Sequence, residues 1–291
     1  GAMLDMMIMQ AGNGLALGFL YVLIALGLSI IFGLLGIVNF AHGVFFALGA
    51  YFSLTLFNLM GWWGVPLALA IVCVIGMITE VLLIRRLYDK EPLVSLIVTF
   101  ALALLAQAVI RAVWGAQGQP FNAPGWLNGV IIAGPFIIAS YRIAIMVCAV
   151  VILLAFWAFM NFTPFGRVLR AGSRDPQMVQ LLGINLPHVL TGTFGLGCLL
   201  AAIAGLLAAP IWTVAPTMGT DAIMPAFVVV TIGGLGSYAG AIVAGLAVGL
   251  VQALTIQFMP DASTAAMYVL MAIILLLRPR GLFGEQWERF E

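Results

Sequence analysis

Charge is what this sequence has least of. Asp, Glu, Lys and Arg make up 7% of its residues and apolar types 64%, against roughly a quarter charged in a soluble domain. A folded chain of 291 residues with so few charges could not cover its surface with polar groups, so lipid must be its solvent. A net charge of +1 gives no reason to expect a nucleic-acid partner. The single lysine, Lys90, follows Asp89 where a Walker-type phosphate loop needs glycine, which removes ATP binding by that device. The histidines are His42 and His188 alone, with no His-Glu-x-x-His run of the metalloprotease type. Cys73, Cys148 and Cys198 are scattered through apolar runs without the spacing of a metal site or disulfide framework, and read as small core residues. No carboxylate stands in mid-span: Glu80 lies near the end of one apolar run, about a turn from Arg85, and Asp221 and Asp261 lie at the ends of others. Carriers driven by protons or sodium usually need an embedded ionisable relay or ion site. A self-powered carrier is therefore disfavoured.

What is present is a series of apolar runs, near 11–31, 37–58, 65–84, 93–114, 139–162, 189–214, 222–236, 238–258 and 264–278. A crossing helix needs about 20 such residues. Breaks with turn chemistry separate them: Gly61-Trp62-Trp63-Gly64, Asp89-Lys90-Glu91-Pro92, Gln117 to Pro135, and Met259-Pro260-Asp261. The run at 222–236 is short, begins beside Pro225 and ends at Gly233-Gly234, the pattern of a half-helix or re-entrant segment. The sequence reads as an all-α polytopic bundle of about eight or nine transmembrane helices. It forms one transmembrane domain over 1–291, with short or broken helices near 36–43 and 222–236. Gly1-Ala2-Met3 reads as a tag remnant, and no cleaved signal peptide is expected. Gly33-Leu34-Leu35-Gly36 and Gly233-Gly234-Leu235-Gly236 echo one another, as a duplication or as two small-residue helix contacts.

Basic residues set the expected orientation. Arg85, Arg86 and Lys90 share one loop, Arg167, Arg170 and Arg174 a second, and Arg278 and Arg280 follow the last run. These loops should face the cytoplasm, with the N-terminus outside and the C-terminus inside. Arg111 and Arg142 depart from that pattern. The loop 163–188 is the longest of the cytoplasmic set. Asp175-Pro176 is a helix start, with aspartate as cap and proline at the first helical position. Gln177 to Leu182 form a short amphipathic turn that Gly183 ends. Such a helix could be a lever for an external motor or an interfacial helix anchored by arginines.

At these residues the chain resembles a known family. Gly166-Arg167-Val168-Leu169-Arg170-Ala171, Asp175 and Leu181-Leu182-Gly183-Ile184-Asn185 look like the cytoplasmic coupling loop of ABC-importer permeases for branched-chain amino acids. Gly36-Ile37-Val38-Asn39-Phe40-Ala41-His42-Gly43, Gly233-Gly234-Leu235-Gly236-Ser237 and Arg278-Pro279-Arg280-Gly281-Leu282-Phe283-Gly284 agree in order and spacing, so the resemblance covers essentially the whole chain. It implies a bacterial inner-membrane subunit that pairs with a second permease, homologous or identical, and with two cytoplasmic ATPases. A periplasmic substrate-binding protein completes the set, membrane lipid surrounds it, and ATP and Mg are used by the ATPases with no cofactor on this chain. Gln177-Met178-Val179 stands where the family usually carries Glu-Ala-Ala, which alters the detailed ATPase contact but not the lever. The implied solute is a branched-chain amino acid or a related amphiphile; amides, urea and aromatic acids are carried on the same scaffold.

Each candidate residue has a plainer reading beside the functional one. Asn39 and His42, three apart and so on one helical face, line a pathway together with Phe40 and Gly43, or cap backbone groups freed at the break. Gly233 and Gly234 line it, or permit close helix crossing. Tyr51 is a gate or a core residue. Arg170, Arg174, Asp175, Gln177, Leu181, Leu182 and Gly183 are the candidates for ATPase coupling, although topology alone would explain the arginines. Asp221 docks the binding protein or caps a helix. Two other functions compete: an intramembrane serine protease with Ser29 as nucleophile and a histidine base, and a passive channel, which would not need the arginine-flanked helix.

Overall fold

In hydrocarbon a backbone N–H or C=O finds no water, so a chain of this composition crosses as helices that satisfy themselves. The computed structural model describes residues 1–134 and 136–283, with the backbone alone described for Phe136, Ser173, Arg174, Pro176 and Val179. The α-helices are α1 Ala2–Leu35, α2 His42–Met60, α3 Gly64–Leu82, α4 Pro92–Trp114, α5 Ser140–Phe162 and α6 Pro164–Arg174. They continue with α7 Pro176–Leu181, α8 Leu186–Ala208, α9 Met218–Gly233, α10 Tyr238–Phe258 and α11 Ser263–Leu277. Each expected crossing has its helix.

Among the described residues, 7 helical stretches are long and apolar enough to cross a membrane. One of them, His42–Leu82, is 41 residues long. It is the hairpin of α2 and α3, 19 residues each, folded back at Gly61–Trp63. α9, at 16 residues, is shorter than a full span, as its sequence suggests. It begins earlier than expected, and Pro225 lies inside it rather than at its start. α1 is longer than its apolar run: 34 residues rise about 51 Å, against a hydrocarbon core of about 30 Å. The interval around 117–139 is not only turn. Val130–Ala133 (β1) pairs antiparallel with Phe136–Ala139 (β2), around Gly134 and a Pro135 that lies outside the described residues. Of the cysteines only Cys198 is buried; Cys73 is partly covered and Cys148 is exposed on α5, so the reading of all three as core fails. Gly284, the last residue of the C-terminal motif, lies outside the described residues.

The chain forms two compact units. Among the described residues the first comprises 1–29, 123–134, 136–150 and 224–283. Here α1 meets α10 along glycines: a methyl on Gly14 would stand 2.9 Å from the Gly249 carbonyl oxygen, and one on Gly18 2.9 Å from that of Gly245. This is the close approach that small residues at four-residue spacing allow in membranes. The Tyr21 hydroxyl donates to Gln252 Oε1 at 2.6 Å, and Gln10 Nε2 to Gln257 Oε1 at 3.1 Å. Gly233 and Gly240 abut so closely that neither has room for a methyl. After α11 the chain returns to the end of α9, where Leu282 N–H donates to the Ile232 carbonyl (2.8 Å) and Phe283 N–H to that of Gly233 (3.1 Å).

The second unit comprises residues 30–122 and 151–223, with α2, α3 and α8 at its centre. Gly49 lies against Ala202, and Gly205 against the backbone of Phe46, with no space for a side chain at either glycine. A methyl on Gly76 would stand 2.6 Å from Cys198 Sγ, and one on Gly195 2.6 Å from Met77 Cγ. These seams fix the three helices to one another by backbone proximity.

Candidate functional site

Two features of the second unit stand out: a helix break and a polar loop with an anchor.

The break lies between α1 and α2. Gly36, at φ 72°, takes the chain out of α1, and α2 starts at His42. The freed backbone groups are supplied with partners one by one. Gly36 N–H donates to the Phe32 carbonyl (2.9 Å), Ala41 N–H to Asn39 Oδ1 (3.0 Å), and Phe40 N–H to Thr99 Oγ1 (3.2 Å). Thr99 stands about 10 Å along α4 from its first residue, so irregular backbone reaches into the span and is tolerated because protein covers it. Asn39 and His42 are both 0% exposed. Asn39 belongs to the break and His42 opens the helix, so the two do not share a helical face as the spacing suggests; the glycine turn interrupts the helix first. Asn39 Nδ2 has no hydrogen-bond partner among the described residues.

Phe40 meets Phe100 edge to face, with ring centres 6.1 Å apart. Gly43 abuts Gly219 at the start of α9, backbone on backbone. Further along α2, Tyr51 is 0% exposed, its ring 4.9 Å from that of Trp114 and its hydroxyl without a partner among the described residues. Asn39, Phe40, His42, Gly43 and Tyr51 thus share one unit, while Gly233 and Gly234 belong to the other. Asp221 is exposed in the first turn of α9, three residues inside it and so not its cap. Ser29 is buried, and its Oγ has no hydrogen-bond partner among the described residues, whereas an activated nucleophile needs a base within reach.

The loop 163–188 holds α6 and α7. Thr163 caps α6, its hydroxyl accepting from Gly166 N–H at 3.0 Å, with Pro164 at the first helical position. The preceding span ends at Phe162, so Pro164 marks both that stop and the start of the next helix. Gly166 is pressed onto the backbone of Phe159 and Met160, and the Phe165 ring lies over Gly192, so α6 is seated between the end of α5 and the start of α8. Arg170 is exposed and its Nη1 donates to Asn161 Oδ1 at 3.3 Å; the Arg174 side chain lies outside those described. Asp175 caps α7 through Oδ1, which accepts from Met178 N–H at 3.1 Å, and Gly183 closes it at φ 80°. Gln177 is exposed beside a run of apolar side chains facing away from the protein: Met178 at 56%, Leu181 at 87% and Leu182 at 71%.

Just beyond α7 the start of α8 is tied to the end of α3. Glu80 is 0% exposed, and a buried carboxylate is tolerated only when its lone pairs are met. Arg85 Nη2 stands 3.2 Å from Oε2, Thr191 Oγ1 donates to the same oxygen at 2.6 Å, and Tyr88 Oη donates to Oε1 at 2.7 Å. Arg85 Nη2 also reaches Thr191 Oγ1 (2.8 Å) and the Pro187 carbonyl (3.2 Å) in the first turn of α8. The single Thr191 proton goes to the carboxylate, leaving the hydroxyl to accept from arginine. Burial, then the hydrogen bond and negative charge of Glu80, push the Tyr88 hydroxyl far above its usual range against the opposing Arg85 charge, so it remains a donor. The Glu80–Arg85 contact is legible from their spacing. Tyr88 and Thr191 are not among the residues the sequence singles out; the available signal is that a carboxylate at a span end needs more donors than one arginine supplies.

Residues 10–278 match the family described as branched-chain amino acid transport system / permease component. The chain is 29% identical over 293 residues to the high-affinity branched-chain amino acid transport system permease protein LivH of Escherichia coli K12, covering 94% of each. It is 31% identical over 294 residues to the permease protein BraD of Pseudomonas aeruginosa, of the same description, covering 94% of this chain and 95% of that one. Among solved structures, PsaBC from Streptococcus pneumoniae in complex with Fab aligns over 95% of this chain and 90% of that one, at 15% identity and a TM-score of 0.41. That likeness is too slight to bear on fold or function.

Proposed function

Because the chain belongs to the family of permease components of branched-chain amino acid transport systems, we propose that it is worked through α7 by a cytoplasmic ATPase that burns nucleotide elsewhere. The chain is a multi-pass permease subunit of an ABC importer. The observation that carries the coupling is α7 itself: a helix capped at both ends that offers Met178, Leu181 and Leu182 to a partner instead of to the protein's own core. The plainer alternative, an interfacial helix lying in lipid, would present the same apolar residues to the bilayer.

In this reading two ATPases bind Mg and ATP, close on hydrolysis cycles, and push α7, which switches a two-state pathway between outward- and inward-open forms. A second permease, homologous or identical, completes the pathway, and a periplasmic binding protein delivers solute, with Asp221 at the docking end. The arginine-bearing loops face the cytoplasm, which places the N-terminus outside and the C-terminus inside the inner membrane. The solute is a branched-chain amino acid or a similar amphiphile. The family and the descriptions of the relatives support that class, as does a break at 36–43 that offers few polar groups. Amides, urea and aromatic acids are the neighbouring substrate classes.

The test is reconstitution in liposomes. The complex with its ATPases, second permease and binding protein should take up leucine only with ATP and the binding protein, and this chain alone should not. Leu181→Glu with Leu182→Glu should abolish ATPase association while leaving the chain inserted. Uptake by the chain alone would overturn the proposal, and full uptake by the double variant would overturn the role of α7.

A further inference from the structure

We propose that Glu80, Arg85, Tyr88 and Thr191 form the joint that makes α8 and α3 follow α7, which makes them positioning residues of the transport cycle. This rests on the reading of α7 given above. Gly183, at φ 80° and with nothing within 4 Å of where a methyl would stand, is a turn after α7 that no side-chain packing supports. α8 then begins without a side-chain cap, because Asn185 at its cap position makes no such bond. A helix start with unmet groups frays and would absorb a push rather than pass it on. Here the first two turns are tied to the end of α3 by side chains: Arg85 on the Pro187 carbonyl, and Arg85 and Glu80 on the Thr191 hydroxyl.

Beyond those turns α8 is closely packed. The glycine seams of α8 with α2 and α3, at Gly49–Ala202, Gly205–Phe46 and Gly76–Cys198, leave no room for sliding. The α2 so held carries His42 at the helix break. The start of α8 is thus a place between α7 and the break where polar side chains set the contact, and Glu80 is the group that gathers them. A buried carboxylate there gives little net stability, since desolvation offsets attraction. What it supplies is a fixed geometry.

A merely structural role and a transmitting role differ in one readout: solute moved per ATP hydrolysed. The experiment uses the whole complex in liposomes and measures leucine uptake and phosphate release together. Thr191→Val replaces a hydroxyl by a methyl of similar size. It should leave binding-protein-stimulated hydrolysis within about twofold and lower the ratio about fivefold or more, the small end of ordinary coupling energies. Thr191→Ser, which keeps the hydroxyl, should restore it. Tyr88→Phe is the second probe if Thr191→Val reduces assembled complex, with the same sign and a smaller loss. An unchanged ratio in either variant would overturn the joint, as would uptake and hydrolysis falling in proportion alongside the melting temperature. Absence of ATP-driven uptake in the unmutated complex would overturn the importer reading and the joint with it, so the two failures are distinguishable.

Discussion

The α1–α10 contact of the first unit and the α3–α8 contact of the second hold helices together by opposite means. The first is made by subtraction. Gly14, Gly18, Gly245 and Gly249 remove side chains so that backbones touch, and specificity comes from there being room for nothing else. The second has glycines along its middle but ends in Glu80, Arg85, Tyr88 and Thr191, where specificity comes from donors matched to acceptors. A packed seam tolerates no added atom and is indifferent to chemistry. A polar cluster tolerates similar volume and is sensitive to a single proton donor. The two kinds of contact should therefore fail differently.

The largest failure should come from the seams. Gly205→Leu drives a side chain into the Phe46 backbone, and its cost, about 3 kcal/mol or more, should appear as loss of folded protein in detergent by size-exclusion and thermal melting. Next is the cluster: Glu80→Ala leaves a partly covered guanidinium unpaired and should cost about 2 kcal/mol, with Glu80→Gln milder because it keeps an acceptor for Tyr88. If Glu80→Ala melted as low as Gly205→Leu, the distinction between the two kinds of contact would collapse. Asp175→Ala removes the α7 cap and should cost about 1 kcal/mol, felt locally as faster amide exchange over 176–181 with the global melt unchanged. Smallest is Tyr21→Phe, which removes one intramembrane hydrogen bond to Gln252 and should lower stability by about 0.6 kcal/mol.

Most of the fold is readable from the chain because lipid imposes a simple grammar. Apolar runs become helices; Gly61 and Met259-Pro260 mark where two of them stop, and Pro92 where another starts. The coupling loop is readable for a different reason: Asp175-Pro176 and Gly183 carry their own local hydrogen bonds and backbone preferences, so no distant partner is needed to place them. Two misreadings come from weighting hydropathy above local chemistry. The hairpin at 130–139 has β-branched residues on both sides of Gly134, a turn signal in its own right. A face shared by Asn39 and His42 assumes a helix that Gly36 has already ended. Thr191 cannot be found by any local rule, since it meets Glu80 from 111 residues away.

The chain's return to α9 has a consequence for how the protein is made. The carbonyls of Ile232 and Gly233, at the end of that helix, are met by Leu282 and Phe283, which leave the ribosome two whole helices later. Until then the end of α9 lacks these partners, however well its neighbours have inserted. Membrane insertion and completion of the first unit are therefore separate events, and the second waits on residues 281–283.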